Sequence, residues 1–340
     1  MPQTMPTLSL ESCTQHIKRT ALNLGFSLVG IAKAEPLDNE IASYSEWLRR
    51  GFHAELGYME RNIDKRHDVR HILPSTRSVI VVGHNYFTPH QHSTSDKLGK
   101  ISRYAWGDDY HDVIPPKLER LAQAVKDCFP TAETKIYTDT GAILEKQWAV
   151  RAGLGWQGKH SNIISREIGS WFFLGIVLTT AELLYDRPIG DYCGTCTACL
   201  EACPTQAIAQ PYVVDARRCI AYWTIEAKPH HDIPSDIATQ LDSWIFGCDT
   251  CQDVCPWNRF QKPTTEQRFE PRNGETSLGL DTVRAMTQKE FSDRFRKSPV
   301  KRTKLAGLQR NARALETYYQ HQGENIQQIT TPESLIRTEY

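Results

Sequence analysis

The chain has 340 residues, 40% hydrophobic and 9% aromatic, with 40 basic against 40 acidic side chains. That is apolar material for a sizeable core and roughly two domains, and it excludes a disordered, collagenous or coiled-coil chain. The longest apolar run, Trp171 to Leu178, is far short of the ~20 residues of a membrane helix, and the amino terminus has no basic flank followed by an apolar stretch. A soluble, cytoplasmic chain with no membrane partner is expected, and zero formal charge leaves nucleic-acid binding to local excesses alone.

Leu10, Ile17, Ala21 and Leu24 recur at helical spacing up to Gly25, and Phe26 to Ile31 follows as a buried strand. A helix is expected over Asn39–Arg50, closed by Gly51, and a strand over Ser78–Gly83. Pro116–Phe129 reads as a helix with proline in its first turn, Thr134–Thr138 as a strand, Ile143–Ala152 as a helix closed by Gly153, and Trp171–Thr180 as a long apolar strand. Further on, Thr287–Arg296 and Thr303–Tyr319 have helical patterns, and the polar last twenty residues are expected to fray. The pattern predicts an α+β protein: an α/β domain over 1–185, a cysteine-rich unit over 186–262 and a short helical tail over 263–340.

Eight of the ten cysteines lie between residues 193 and 255. With no secretion signal, metal ligation is expected there in place of disulfides. Cys193-x-x-Cys196-x-x-Cys199-x-x-x-Cys203-Pro204 has the spacing of a bacterial ferredoxin, in which three thiolates grip one cube and the fourth ligates the other. Cys248-x-x-Cys251-x-x-x-Cys255-Pro256 lacks one thiolate of that run, which Cys219 can supply unless it is a buried free thiol. The crossover assigns Cys193, Cys196, Cys199 and Cys255 to one [4Fe–4S] cluster, and Cys203, Cys219, Cys248 and Cys251 to the other. Two such clusters form a wire for single electrons, fed by an external electron donor. Cys13 and Cys128 fall on helices and read as core residues. Gly153-Leu-Gly155-Trp-Gln-Gly158 has the glycine spacing of a dinucleotide site but follows a helix, so it fails the context that motif needs.

Asp139 ends a strand just before a helix. It is either the N-cap of that helix or a general acid at the carboxyl end of the strand.

Several separated segments carry a resemblance: DTGAILEKQWAVRAGLGWQGKHSNIIS from Asp139, the two cysteine runs ending in GCDTCQDVCPWN, Ile101 to His111, and Ser298 to Lys304. Over roughly residues 10 to 315 the chain resembles the epoxyqueuosine reductases. Members of that family bind cobalamin beside two [4Fe–4S] clusters and reduce epoxyqueuosine to queuosine at the wobble position of tRNA, the last step of queuosine biosynthesis. The resemblance makes residues 1–185 a cobalamin-binding domain and residues 186–262 ferredoxin-like, and it assigns Asp139 as the proton donor. It also points to Arg61, Tyr104, Asp139, Ile163 and Leu174 as corrin contacts, with Tyr222, Trp223 and Glu226 bordering the space between cofactor and cluster. No DxHxxG motif is present, so a corrinoid is expected to bind without the histidine that motif supplies.

Arg294, Arg296, Lys297, Lys301, Arg302, Lys304, Arg310 and Arg313 form a basic run with no acid among them, which suits phosphate contacts to a tRNA anticodon arm. Arg61 to His71 is a second basic stretch, and Tyr104, Trp106 and Tyr110 are candidates for stacking on splayed bases. Longer members of the family continue into a HEAT-like repeat domain, of which at most a helix or two is expected in this tail. A monomer is expected. The rival readings are a related corrinoid reductive dehalogenase, a ferredoxin-type electron carrier, and a nucleic-acid-binding protein that uses its clusters as staples.

Overall fold

The computed structural model describes residues 9–330. The first part of the chain forms α1 (Leu10–Asn23), β1 (Leu28–Lys33), α2 (Asp38–Arg49), β2 (Ser78–Asn85), β3 (Leu98–Ile101) and α3 (Pro115–Cys128). It continues through β4 (Thr134–Tyr137), α4 (Glu145–Arg151), β5 (Trp156–Gln157), β6 (Ile163–Ile164) and β7 (Phe172–Thr179). Strands β1, β2, β7 and β4 lie side by side in that order, each antiparallel to its neighbour. Of the α/β and α+β readings open for this domain, the antiparallel sheet selects α+β, since the intervening helices do not build parallel crossovers. The architecture as a whole is α+β, as expected.

Side-chain alternation explains the unbroken apolar run of β2. Ile80 and Val82 share a core with Ile17 of α1 and Leu118 and Leu121 of α3, whereas Val79 and Val81 pack with Trp148 and Ala149 of α4. Both faces of the sheet are covered, and each fully buried Val or Ile contributes about 1.5–3 kcal/mol. Cys13 is buried in α1 and Cys128 half-buried in α3, as core residues.

The cysteine-rich unit forms α5 (Ala198–Ala202), the hairpin β8 (Ile208–Gln210) and β9 (Val213–Val214), then β10 (Trp244–Phe246) and α6 (Thr250–Asp253). After it come β11 (Ser277–Gly279), α7 (Gln288–Arg294) and α8 (Lys304–Thr330). Thr287 and Glu290 cap α7 reciprocally. A second sheet of order β10-β3-β11 takes one strand from each of the three segments. Its core joins Trp106, Phe246, Val283, Phe291 and Leu308, so the segments interlock. Helix α8 runs on to Thr330, where fraying is expected from the sequence, and residues 331–340 lie outside the described residues.

Residues Tyr222–Glu226 form a π turn, whose wider pitch changes the usual carbonyl partners. Arg310 donates to the carbonyls of Trp223, Ala227, Lys228 and His231, and Asn311 to those of Thr224 and Ile245. Arg310 is only 3% exposed. Its place in the basic run is thus corrected to a structural one. The glycines of the 153–158 motif serve chain packing: Gly153 has φ +75° after α4, and a Cβ on Gly155 would lie 2.1 Å from the Ile164 carbonyl oxygen. Among the described residues no helix is long and apolar enough to cross a membrane.

Candidate functional site

A cleft of about 1400 Å³ opens between the antiparallel sheet and the cysteine-rich unit. Arg61, Tyr104, Asp139, Ile163 and Leu174 all line it. From the other side come Ala221, Ile225, Gly247 and Cys248. Tyr222 and Glu226, expected from the sequence, do not line it. Tyr222 packs with Ala216 and Ala227 while its hydroxyl accepts from the Glu55 N–H at 3.4 Å, and Glu226 pairs with Arg302 at 2.8 Å. Ile225 of the π turn and Ala221 just before it face the cleft instead.

Asp139 sits on the loop between β4 and α4, with φ +56°. Helix α4 starts at Glu145 with Leu144 at its cap position, so the capping reading of Asp139 is set aside. The Asp139 backbone N–H donates to Glu145 Oε1 at 2.7 Å, and Tyr110 Oη donates to Asp139 Oδ2 at 2.5 Å. His111 Nε2 lies 4.0 Å from the same oxygen, and the Asp139 side chain remains 67% exposed. Left-handed backbone is tolerated by Asp more readily than by most residues, and here two hydrogen bonds hold it. The next glycine follows the same constraint, since a Cβ on Gly141 would meet the Tyr137 ring at 2.3 Å.

The surroundings fix the protonation of the neighbours. Burial, then the charge of Asp139, raises the Tyr110 phenol far above its ordinary value, so it stays a donor. Burial and Asp139 also push the Glu145 carboxyl up to about 8. Burial opposes a charged His111, but its hydrogen bond to Asp109 and the charges of Asp109 and Asp139 outweigh that and raise its pKa. The cleft thus presents a solvent-reached carboxyl group beside the Tyr110 phenol, with the His111 imidazole next to that carboxyl but outside the cleft wall, an arrangement able to hand protons to a bound oxygen.

The eight thiols converge as two sets. Cys193, Cys196, Cys199 and Cys255 line a cavity of about 220 Å³. Cys203, Cys219 and Cys248 are the thiols whose proximity acts on Cys251. Cys248 belongs to both the second set and the wall of the cleft. The loop that carries it is tied down by Asp249, which accepts from Ser102 Oγ at 2.5 Å and from the Arg103 N–H at 2.7 Å.

The basic run lies beside the cleft mouth. Arg302, held by Glu226, is close enough to Asp139 for its charge to act on it. The Asp109 N–H donates to the Lys297 carbonyl, which binds the run to the segment carrying Tyr110. Arg296, Lys297, Lys301, Lys304 and Arg313 are exposed, while Arg294 is half-buried and paired with Glu275 at 2.8 Å. In the second basic stretch Arg66 is buried and donates to the Tyr58 carbonyl, and Arg70 pairs with Asp68. Of the stacking candidates, Tyr104 and Tyr110 line the cleft. Trp106 is 2% exposed and donates to the Ile101 carbonyl, which corrects it to core.

Residues 66–140 match the epoxyqueuosine reductase QueG DUF1730 family, and residues 192–258 match the 4Fe-4S double cluster binding domain. An epoxyqueuosine reductase of Synechocystis sp. is 48% identical over 84% of this chain and 99% of its own length. That of Atelocyanobacterium thalassa is 45% identical over 89% of this chain and 99% of its own. The chain belongs to the epoxyqueuosine reductase family. As such it is an oxidoreductase carrying a double-cluster module. A solved epoxyqueuosine reductase holding an epoxyqueuosine-modified tRNA-Tyr stem loop superimposes with a TM-score of 0.84 at 28% identity, covering 92% of this chain and 82% of that one. The Bacillus subtilis reductase, solved with its catalytic aspartate loop swung out of the active site, gives 0.85 at 27% identity and covers 94% and 85%.

The sequence reading did not anticipate Glu145 at the Asp139 backbone, nor Tyr110 at its carboxylate. Both were present in the motif segments, but their partnership spans residues 110 to 145 and has no signature in spacing.

Proposed function

We propose that this chain reduces epoxyqueuosine to queuosine at the wobble position of tRNA, with a corrinoid in the cleft, [4Fe–4S] clusters on the two thiol sets and Asp139 as proton donor. The observation that carries this reading is the single cavity shared by Asp139 and Cys248. Four thiols around one small cavity suit a cube. The cleft is larger than the 300–1,000 Å³ of an ordinary ligand pocket and has an aliphatic and aromatic wall, which fits a macrocycle. No histidine lines it, in keeping with a corrinoid held without a DxHxxG ligand.

The bound corrinoid would supply electrons to the substrate, drawn from an external donor through the clusters. Loss of the epoxide oxygen as water consumes two electrons and two protons. Asp139 gives a proton to the departing oxygen, and Tyr110, bonded to its Oδ2, fixes the direction of that carboxyl. Glu145 holds the Asp139 backbone so that the side chain faces the cleft. Arg61, Tyr104, Ile163 and Leu174 would hold the corrin, with Tyr222 and Glu226 supporting that wall from behind.

The tRNA-bound relative supports an anticodon arm as the partner, with Arg296, Lys297, Lys301, Arg302 and Lys304 on its phosphates and Arg294 bracing the loop through Glu275. The test is nucleoside mass spectrometry of epoxyqueuosine-containing tRNA incubated anaerobically with reconstituted protein, reductant and cobalamin. Loss of one oxygen that requires cobalamin is expected; no conversion by protein with intact clusters overturns the reading.

A further inference from the structure

The small thiol cavity has one wall with no role in the chemistry above. That wall is the β5–β6 hairpin and its turn, which carry Trp156, Lys159 and His160. Trp156 Nε1 donates to Cys193 Sγ at 3.4 Å, and Lys159 Nζ holds the loop between the first two cysteines through the carbonyls of Gly194 and Cys196, at 2.7 and 2.8 Å.

His160 is different. Its ring is 3% exposed and lines the cavity with the four thiols. Nδ1 accepts from the Asn162 N–H at 3.2 Å, which puts the ring proton on Nε2. That Nε2 is buried and has no partner among the described residues. A buried donor left unsatisfied costs about 1–3 kcal/mol, so one on a ring that lines a cavity built of thiols calls for an acceptor close by.

We propose that His160 Nε2–H donates a hydrogen bond to a sulfur of the cluster held by Cys193, Cys196, Cys199 and Cys255, and so raises that cluster's reduction potential. This rests on the cluster reading above. An N–H directed at sulfur stabilises the reduced state, which carries one more negative charge, over the oxidised state. His160 is a positioning and tuning residue, since it touches the cluster and not the substrate.

The experiment is an EPR-monitored redox titration of the holoprotein, wild type against His160→Leu and His160→Gln, with iron content measured on each. Leu removes the donor at similar volume, whereas the Gln amide reaches far enough to restore one. For His160→Leu one of the two midpoint potentials should fall by about 40 mV, a fivefold change at 59 mV per tenfold for one electron, and His160→Gln should recover most of it. Two unchanged potentials in His160→Leu at full iron content overturn the proposal. A measurement free of any folding defect is pulsed EPR of reduced wild-type protein labelled with ¹⁵N-histidine. A coupled histidine nitrogen is expected; clusters without that coupling overturn the proposal alone, and absence of cluster signals overturns the cluster reading with it.

Discussion

The outer thiols line a small cavity walled by Trp156, Ile164 and Trp257, whereas the inner set reaches the large cleft through Cys248. The ligand type is the same in both, and only the surroundings differ. The outer set is open to water at Cys196 beside an aromatic wall, while the inner set, with no exposed thiol, shares a cavity with Asp139 through Cys248. The difference teaches that position along one path separates the roles of two chemically alike sites: the inner set adjoins the reaction space, and the outer set lies behind it.

That contrast can be broken most severely at Cys248. Cys248→Ser should abolish turnover and remove the inner cluster while leaving the outer signal in EPR, because only the inner set loses a ligand. Asp139→Asn comes next: conversion should fall by about 10²–10⁴-fold with both clusters intact, checked by single-turnover nucleoside analysis. Glu145→Gln should be milder, lowering kcat about tenfold with little change in KM for tRNA, since the amide oxygen still accepts the Asp139 N–H but the environment of the loop changes. Lys301→Ala should raise KM for tRNA and flatten its salt dependence by about one phosphate contact, leaving single-turnover chemistry at saturation unchanged.

The smallest effect concerns stability away from both thiol sets. Burial, with the charge of Lys117, lowers the His84 pKa to about 4. Burial alone would raise Glu266, but hydrogen bonds and charges from Lys117 and Arg268 hold it down to about 2. In both cases the unfolded chain binds protons more readily. Stability is therefore complete above about pH 6.5 and falls as pH drops toward 4 through His84, then further between about 4.5 and 2 through Glu266. Denaturant titrations at pH 7.5 and pH 4 should differ by at most about 3 kcal/mol from this histidine, and His84→Gln should shrink that difference.

Much of the fold is legible in local pattern. The helices α1, α2 and α3 and the strands β2 and β7 are encoded by periodicity and by Gly25, Gly51 and Pro116. The antiparallel order β1-β2-β7-β4 is not, because it depends on long-range pairing. Cysteine spacing marks Cys193, Cys196 and Cys199 as neighbours since short loops hold them together, whereas the approach of Cys255 to them is long-range packing. The basic run is legible only as charge: that Arg310 is buried under a π turn and Arg294 paired with Glu275 follows from packing. The partners of Asp139 and His160 come from contacts between distant segments or from a single ring nitrogen, neither of which leaves a mark in composition.

The most direct test of the central claim, that a corrinoid occupies the cleft next to the inner cluster and Asp139, is EPR of cobalamin titrated into the anaerobic holoprotein. The account predicts stoichiometric binding and a Co(II) signal magnetically coupled to one reduced cluster, with the coupling lost in Cys248→Ser. Protein with both clusters built that leaves cobalamin free in solution would contradict it.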